Sequence, residues 1–253
     1  MLAVTRKSKI KELIQEKKSV TVSELAKLFS VTEETIRRDL KALEEEGVLI
    51  RTYGGAYIDE GVQNDVNIKI RETLFVENKQ KIAEKCAALI HHGDSIFLDA
   101  STTSLFIAFK IRDKRITVLT NSLKIANVLA DSDTVRLLVT GGTLSHQSMS
   151  FLGYGALNSM KNYFVDKAFV SCRSLSMEHG ITDSNEQQAE IRQLAIKHAT
   201  KSYLVVDHTK FNKTSFATIA TFEEIDAIVV DKRLDDEWRN FLTELQIEII
   251  ECE

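Results

Sequence analysis

Apolar residues recur at helical spacing in three short runs near the start of the chain. Ile10, Leu13 and Ile14 mark one stripe over residues 5–17. Leu25, Leu28 and Phe29 mark a second, and Ile36, Leu40 and Leu43 a third. The second run opens on Thr21 and Glu24, a capping box in which each side chain satisfies the other residue's orphan N–H, with Val20 and Leu25 as its apolar staple. The third opens on Thr32, a good N-cap, with Val31 and Ile36 as a staple, and Gly47 stops it at the C′ position. Residues 48–53 are then extended and β-prone, Gly54-Gly55 is a hairpin signal, and 56–58 return. Two helices across a tight turn followed by a hairpin predict a winged helix-turn-helix over residues 3–58, its helix pair at about 20–39.

Residues 59–67 are polar and aperiodic, which places a linker over 59–74. An amphipathic helix over 77–90 follows, with Ile82, Cys86, Leu89 and Ile90 on one face. Strands are predicted at 95–98, 116–119, 135–140, 167–171, 202–206, 227–230 and 247–250. Helices between them fall at 102–110, 122–130, 184–199 and 234–245. This alternation predicts an α/β domain over 75–253, mainly a parallel sheet with helices on both faces.

Composition narrows the function classes. Among 253 residues, 43 % are hydrophobic and 28 % charged, ordinary for a globular chain. No apolar run reaches the ~18 residues of a membrane span, and residues 1–13 are basic and amphipathic without a signal core, so no membrane partner is expected. Cys86, Cys172 and Cys252 are far apart and odd in number, which fits a reducing cytoplasm. His91-His92 cannot share a helix face and has no evident third ligand, so neither a metal nor another cofactor is expected. Proline is absent, which leaves turns to Gly, Asn, Asp and Ser. The first sixty residues hold eleven basic and eleven acidic side chains, so the net charge of −4 belongs to the remainder. A DNA-binding case must therefore rest on where charges sit.

On the third helix Glu33, Glu34, Thr35, Arg37, Arg38 and Lys41 lie opposite the apolar stripe, which suits a helix entering the major groove of double-stranded DNA. Thr32 and Thr35 sit nearest the groove floor, with Ser23 on the preceding helix. One of Arg37 and Arg38 reads a guanine edge or clamps phosphate, and the other is tied to Asp39. Glu33 and Glu34 face solvent or accept from cytosine; solvent is favoured, since both stabilise the helix dipole. Arg6, Lys7, Lys9 and Lys11 line the first helix where a DNA backbone is met. Arg51, Tyr53, Gly54 and Gly55 form a wing beside the groove.

In the larger domain the chemistry lies in loops that follow strands, where parallel sheets bind ligands. Asp99-Ala100-Ser101-Thr102-Thr103-Ser104 combines hydroxyls with a helix N-terminus, a ready anion site. Thr120-Asn121-Ser122 repeats the arrangement, and Gly141-Gly142 permits close backbone approach. Asp183 and Glu186 lie in a later loop. Asp207 offers a sugar hydroxyl an acceptor, and Lys210 meets a phosphate as a point charge. Converging at one sheet edge, these loops predict a site for a small phosphorylated ligand.

The run Val22-Ser23-Glu24-Leu25-Ala26, Phe29-Ser30-Val31-Thr32, Thr35-Ile36-Arg37-Arg38-Asp39-Leu40, Leu43-Glu44 with Gly47, and Arg51 with Tyr53-Gly54-Gly55-Ala56 resembles the DeoR-type helix-turn-helix. Asn78-Lys79, Ile82-Ala83, Asp99 with Ser101-Thr102-Thr103, Thr120-Asn121-Ser122, Gly141-Gly142, Asp166-Lys167-Ala168, Gly180 with Thr182-Asp183, and Asp207 with Lys210 resemble the sensor domain of the same family. The resemblance implies a fold like ribose-5-phosphate isomerase and coenzyme A transferases, and a sugar-phosphate effector. Ser101 stands where that family has glycine, a Gly-Pro pair is missing near Gly153-Tyr154, and Arg173-Ser174 replaces an acidic or amide residue and a glycine. Arg173 makes that loop bulkier and cationic and alters which ligand fits. The expected function is a cytoplasmic, homo-oligomeric (dimer or tetramer) repressor of a carbohydrate operon, relieved by a phosphorylated sugar, with no catalytic residue. The alternative is a sugar-phosphate isomerase carrying a DNA-binding appendage, with Asp207 or Glu186 as base.

Overall fold

The computed structural model describes residues 2–58, 61 and 66–252. The chain divides into two compact units, Met1–Val76 and Glu77–Glu253. In the first, α1 (Ala3–Lys17), β1 (Ser19–Thr21), α2 (Val22–Phe29), α3 (Glu33–Glu45), β2 (Ile50–Arg51) and β3 (Gly55–Tyr57) surround one core, in which Ile10, Ile14, Leu25, Ile36, Leu40 and Leu43 are fully buried. The predicted caps form. Thr21 Oγ1 accepts from Glu24 N while Glu24 accepts from Thr21 N, and Thr32 Oγ1 accepts from Thr35 N. Gly47, at φ 72°, ends α3: its N–H reaches Glu44 O at 2.9 Å and that of Val48 reaches Leu43 O at 3.0 Å. These paired bonds satisfy carbonyls that a helix end otherwise orphans.

The wing differs from expectation in two respects. It is a three-stranded sheet in the order β1-β3-β2, and β1 spans three residues, too few to show a period. Neither Gly54 nor Gly55 adopts the positive φ of a primed turn. Gly55 is instead required by close packing, because a Cβ there would lie 2.1 Å from Val20 O. The expected linker over 59–74 falls partly outside the described residues. Its second half is structured: α4 (Ile68–Thr73), capped by Asn67 Oδ1, buries Ile68 and Ile70, and Asn67 N donates to Ser19 Oγ at 2.9 Å.

The second unit opens on α5 (Val76–Leu89) and then alternates: β4 (Ser95–Leu98), α6 (Thr102–Lys110), β5 (Ile116–Thr120), α7 (Leu123–Leu129), β6 (Val135–Val139). A hairpin follows, β7 (Thr143–Ser145) and β8 (Ser150–Leu152), with α8 (Tyr154–Met160) and β9 (Val165–Val170). Then come β10 (Ser174–Ser176), β11 (Gly180–Asp183), α9 (Glu186–Lys197), β12 (Ala199–Val206), β13 (Ala217–Ala220), β14 (Ala227–Val230), α10 (Asp236–Glu244) and β15 (Glu248–Glu251). All seven predicted strands pair in parallel, in the order β15-β14-β12-β9-β4-β5-β6. The hairpin, α8 and the small sheet β10-β11-β13 are additions, each too short to read.

Side-chain alternation explains the layers. Along β12, Tyr203 and Val205 face one core with α5, α6 and α7, while Leu204 and Val206 face the other with α8, α9 and α10; Ala227–Val230 repeats this. The chain runs outward from β4 through β5 to β6 on one side, and from β9 through β12, β14 and β15 on the other. Strand order therefore reverses between β4 and β9, and such a reversal opens a crevice outside their carboxyl ends.

Gly55→Ala should destabilise the first unit by ~1–3 kcal/mol through backbone overlap. Gly54→Ala, with nothing within 4 Å of its Cβ, should unfold like the wild type. Differential scanning calorimetry of the full chain compares them, and equal midpoints would refute the close-packing account.

Candidate functional site

In the first unit the exposed side of α3 carries Glu33, Glu34, Arg37, Arg38 and Lys41, with Thr32 exposed at its start, Thr35 half-buried, and Ser23 exposed on α2. The ion pairs differ from expectation. Asp39 is buried and bound neither to Arg37 nor to Arg38: Arg6 Nε donates to its Oδ2 at 2.5 Å and Nη2 to its Oδ1 at 3.2 Å. Arg6 is thus buried rather than on the exposed face expected of it, and its pKa is raised chiefly by the Asp39 hydrogen bond. Arg37 Nη2 pairs with Glu33 at 2.8 Å, an exposed i,i+4 contact worth only tenths of a kcal/mol. Lys41 approaches Glu45 at 4.0 Å. Arg38 has no ion-pair or hydrogen-bond partner for its guanidinium among the described residues. On the wing, Arg51 donates through Nε to Glu44 at 2.7 Å, and Tyr53 is 89 % exposed.

In the second unit the predicted loops converge at the carboxyl ends of β4, β5, β9 and β12, but several of their groups serve the fold. Asp99, just past β4, is fully buried and saturated. Its Oδ1 accepts from Ser101 N and Ser104 Oγ, and its Oδ2 from Ser171 N at 3.0 Å and Arg192 Nε at 2.6 Å. The other end of Arg192 donates to Asp183. Burial pushes the Asp99 carboxyl up, but Arg192 and the hydrogen bonds from Ser101, Ser104 and Ser171 outweigh it and hold the group below its ordinary 3.8. Asp99 and Asp183 therefore hold an arginine, and Asp99 has no accepting capacity left for a ligand. Ser101 caps α6 through Ser104 N and accepts Leu105 N through its carbonyl. The N–H groups of Thr102 and Thr103 are left as first-turn donors.

Thr120 Oγ1 donates to Leu98 O and accepts Ser122 N, and Ser122 caps α7. Gly142, at φ 109°, approaches this chain's own Leu152 and Ala156, so its missing Cβ makes room for β8 and α8 rather than for a ligand; Gly141 has open space. Glu186 lies on the exposed first turn of α9, apart from the buried groups. Arg173 is half-buried in the turn between β9 and β10.

Asp207, past β12, is buried, accepts from Thr209 N at 3.0 Å and binds the Thr209 hydroxyl. Burial pushes its carboxyl up, yet Lys210, Thr209 and Lys79 bring it below the ordinary value. Lys79 on α5 is only 4 % exposed. Cys172 lies within the electrostatic reach of Lys210, Arg192, Asp183 and Asp207, and burial drives its thiol up to about 12, so it is an inert neutral neighbour. Lys79 and Arg192 were not among the expected site residues. The legible signal was a cation in register with an apolar stripe: Lys79 with Ile82, Ala83 and Cys86, and Arg192 with Ala189, Ala195 and Ile196.

Arg6→Met should cost ~3–5 kcal/mol in chemical denaturation by leaving the Asp39 carboxylate buried and unpaired. Adding Asp39→Leu should recover most of that loss, and a further loss would contradict the account. The stabilisation from Asp99 and Asp207 is complete above their ordinary pKa and disappears as pH falls through the lowered folded values. Fluorescence of Trp238, the single tryptophan and buried in the second unit, should report acid unfolding below about pH 4. Asp99→Asn should flatten that dependence, and an unchanged profile would count against the linkage.

Residues 6–62 match the family model of the DeoR-like helix-turn-helix domain, and residues 75–232 that of the DeoR C terminal sensor domain. A protein of Bacillus subtilis (strain 168), the uncharacterized HTH-type transcriptional regulator YulB, is 38 % identical over 235 residues, covering 93 % of this chain and 91 % of its own. The HTH-type transcriptional repressor GlcR of the same strain is 32 % identical over 244 residues, covering 96 % and 94 %. Among solved structures, ribose 5-phosphate isomerase a from Methanocaldococcus jannaschii aligns over 54 % of each chain with a TM-score of 0.40 and 13 % identity. Models and relatives alike are those of transcription regulators, so the isomerase alternative is set aside. Matched across both of its units, the chain belongs to the DeoR family of helix-turn-helix transcriptional regulators.

Proposed function

We infer that this regulator is a homo-oligomeric repressor of a carbohydrate-metabolism operon, and that it releases its operator when a small phosphorylated sugar binds the second unit. Residues 3–58 act on DNA, 59–74 connect, and 75–253 sense. The observation that carries the sensing role is the buried, mixed-charge cluster outside the carboxyl ends of β4, β9 and β12. Lys79, only 4 % exposed, and Lys210 both act on the buried Asp207 carboxylate, so cations and an anionic acceptor stand together at one place. Relatives support the repressor reading: GlcR by name, and the putative aga operon transcriptional repressor of Escherichia coli O157:H7, 32 % identical over 248 residues.

In this reading the Thr102 and Thr103 N–H groups meet the phosphate at the positive end of α6. Lys210, Lys79 and Arg173 add positive charge, and Asp207 accepts from a sugar hydroxyl. On the DNA side Arg38 reads a base edge or clamps phosphate, Thr32, Thr35 and Ser23 line the groove entry, and Arg37, Lys41, Arg51 and Tyr53 meet the backbone. Glu34 stays in solvent, where it favours the helix N-terminus. A two-fold assembly matches paired half-sites. Release requires that the sugar phosphate bind the DNA-free state more tightly, and DNA then weakens the sugar phosphate by the same factor.

A thermal-shift screen of ribose 5-phosphate, fructose 6-phosphate, glucose 6-phosphate and glucosamine 6-phosphate should show at least one that raises the Trp238-reported midpoint. The same compound should release the DNA flanking this protein's own gene in a gel shift. Arg38→Ala should abolish the shifted band with an unchanged melting profile. A stabilising compound with no effect on the band would refute the inducer role, and undiminished binding by Arg38→Ala would refute the assignment of Arg38.

A further inference from the structure

Among the described residues of the second unit, two buried side-chain oxygens accept no hydrogen bond: Asn121 Oδ1 and Gln188 Oε1. Asn121 is fully buried and Gln188 is 5 % exposed. Leaving such an acceptor unmet costs ~1–3 kcal/mol, so a pair of them needs an explanation. The Asn121 amide cannot turn over to find a partner, because its Nδ2 donates to Phe151 O at 3.3 Å, and a carbonyl can only accept. Gln188 Nε2 donates to Ser150 Oγ at 2.8 Å, and Ser150 Oγ is hydrogen-bonded to Ser148 Oγ at 2.7 Å. Ser150 also bridges to Ser122, the neighbour of Asn121. The two amides thus belong to one buried polar strip.

That strip lies beside the charged cluster. Asn121 is the first residue past β5, whose neighbour β4 ends at Asp99. Gln188 stands one helical turn before Arg192 on the same face of α9, and Arg192 holds both Asp99 and Asp183. Asn121 and Gln188 carry no charge of their own, so their unmet carbonyl oxygens match a hydrogen-bond donor such as a hydroxyl.

We propose that Asn121 and Gln188 select the effector by accepting hydrogen bonds from one of its hydroxyl groups, a specificity contact separate from the phosphate contacts. The proposal rests on the sensing role argued above for the same crevice. It makes the chain discriminate a hydroxylated phosphorylated sugar from its deoxy counterpart, because a site built to meet a hydroxyl rejects the analogue lacking it more strongly than an apolar pocket rejects an added one.

The test is calorimetric titration of the full chain with ribose 5-phosphate against 2-deoxyribose 5-phosphate, and glucose 6-phosphate against 2-deoxyglucose 6-phosphate and glucosamine 6-phosphate. The wild type should prefer one hydroxylated member by tenfold or more, and Gln188→Met should bind that member and its deoxy counterpart equally. Gln188→Glu, which keeps the shape and adds negative charge, covers the case in which the methionine variant does not fold; it should shift preference by tenfold toward the ammonium of glucosamine 6-phosphate over glucose 6-phosphate. Binding by the wild type that ignores the hydroxyl, or discrimination surviving both substitutions, overturns the proposal and leaves the sensing role intact. Failure of all five compounds to bind overturns the proposal, and failure of fructose 6-phosphate as well overturns the sensing role.

Discussion

Much of the second unit depends on one guanidinium. Arg192 is fully enclosed, and a cation without water is unfavourable unless its donors meet charge and geometry together. It meets both: Asp99 stands at the end of β4, Asp183 at the end of β11, and Arg192 itself on α9. The ion pair therefore fastens the helix of one layer to the strand of another at the point where strand order reverses. Ser101, Ser104 and Ser171 complete the shell around Asp99, so the start of α6 and the end of β9 are held by the same carboxylate. What surrounds the crevice is a rigid frame of buried charge.

The first unit uses the same device on a smaller scale. Arg6 crosses from α1 to Asp39 in the middle of α3. The stripe Arg6, Ile10, Ile14 packs against Ile36, Leu40 and Leu43, and the ion pair fixes the rotation of α3 about its own axis in a way that aliphatic packing does not. The side chains presented on the far side of α3 follow from that rotation.

Most of the architecture was legible because local signals agreed with one another. Caps, staples and Gly47 gave the helices of the first unit, and alternation of β-branched runs with amphipathic ones gave the seven parallel strands. Elements of three or four residues, such as β1, β7 and β10, were not legible, since a period needs more positions than they have. The site was readable by address and less so by role. The loops at Asp99, Asn121 and Asp207 do converge, yet Asp99 turned out to be structural, and Arg6 was assigned to the surface because its buried partner lies 33 residues away. The oversight has one cause. Arg6 was grouped with the cations Lys7, Lys9 and Lys11, and Lys79 and Arg192 were given no site role, although each stands in register with an apolar stripe.

The exposed cations of the first unit are not idle. Arg37 rests on Glu33, Arg51 on Glu44, and Lys11 on Glu46. On the DNA-binding reading, a phosphate must displace a carboxylate already in place, so each contact is an exchange of anions. The protein thus carries its own competitor for the duplex. Each carboxylate offsets part of what a phosphate of any sequence would gain, by tenths of a kcal/mol per exposed pair. A cognate site adds contacts at Arg38, the one guanidinium among the described residues of α3 with no carboxylate to give up. Selectivity is then set partly by what the protein binds when it is alone.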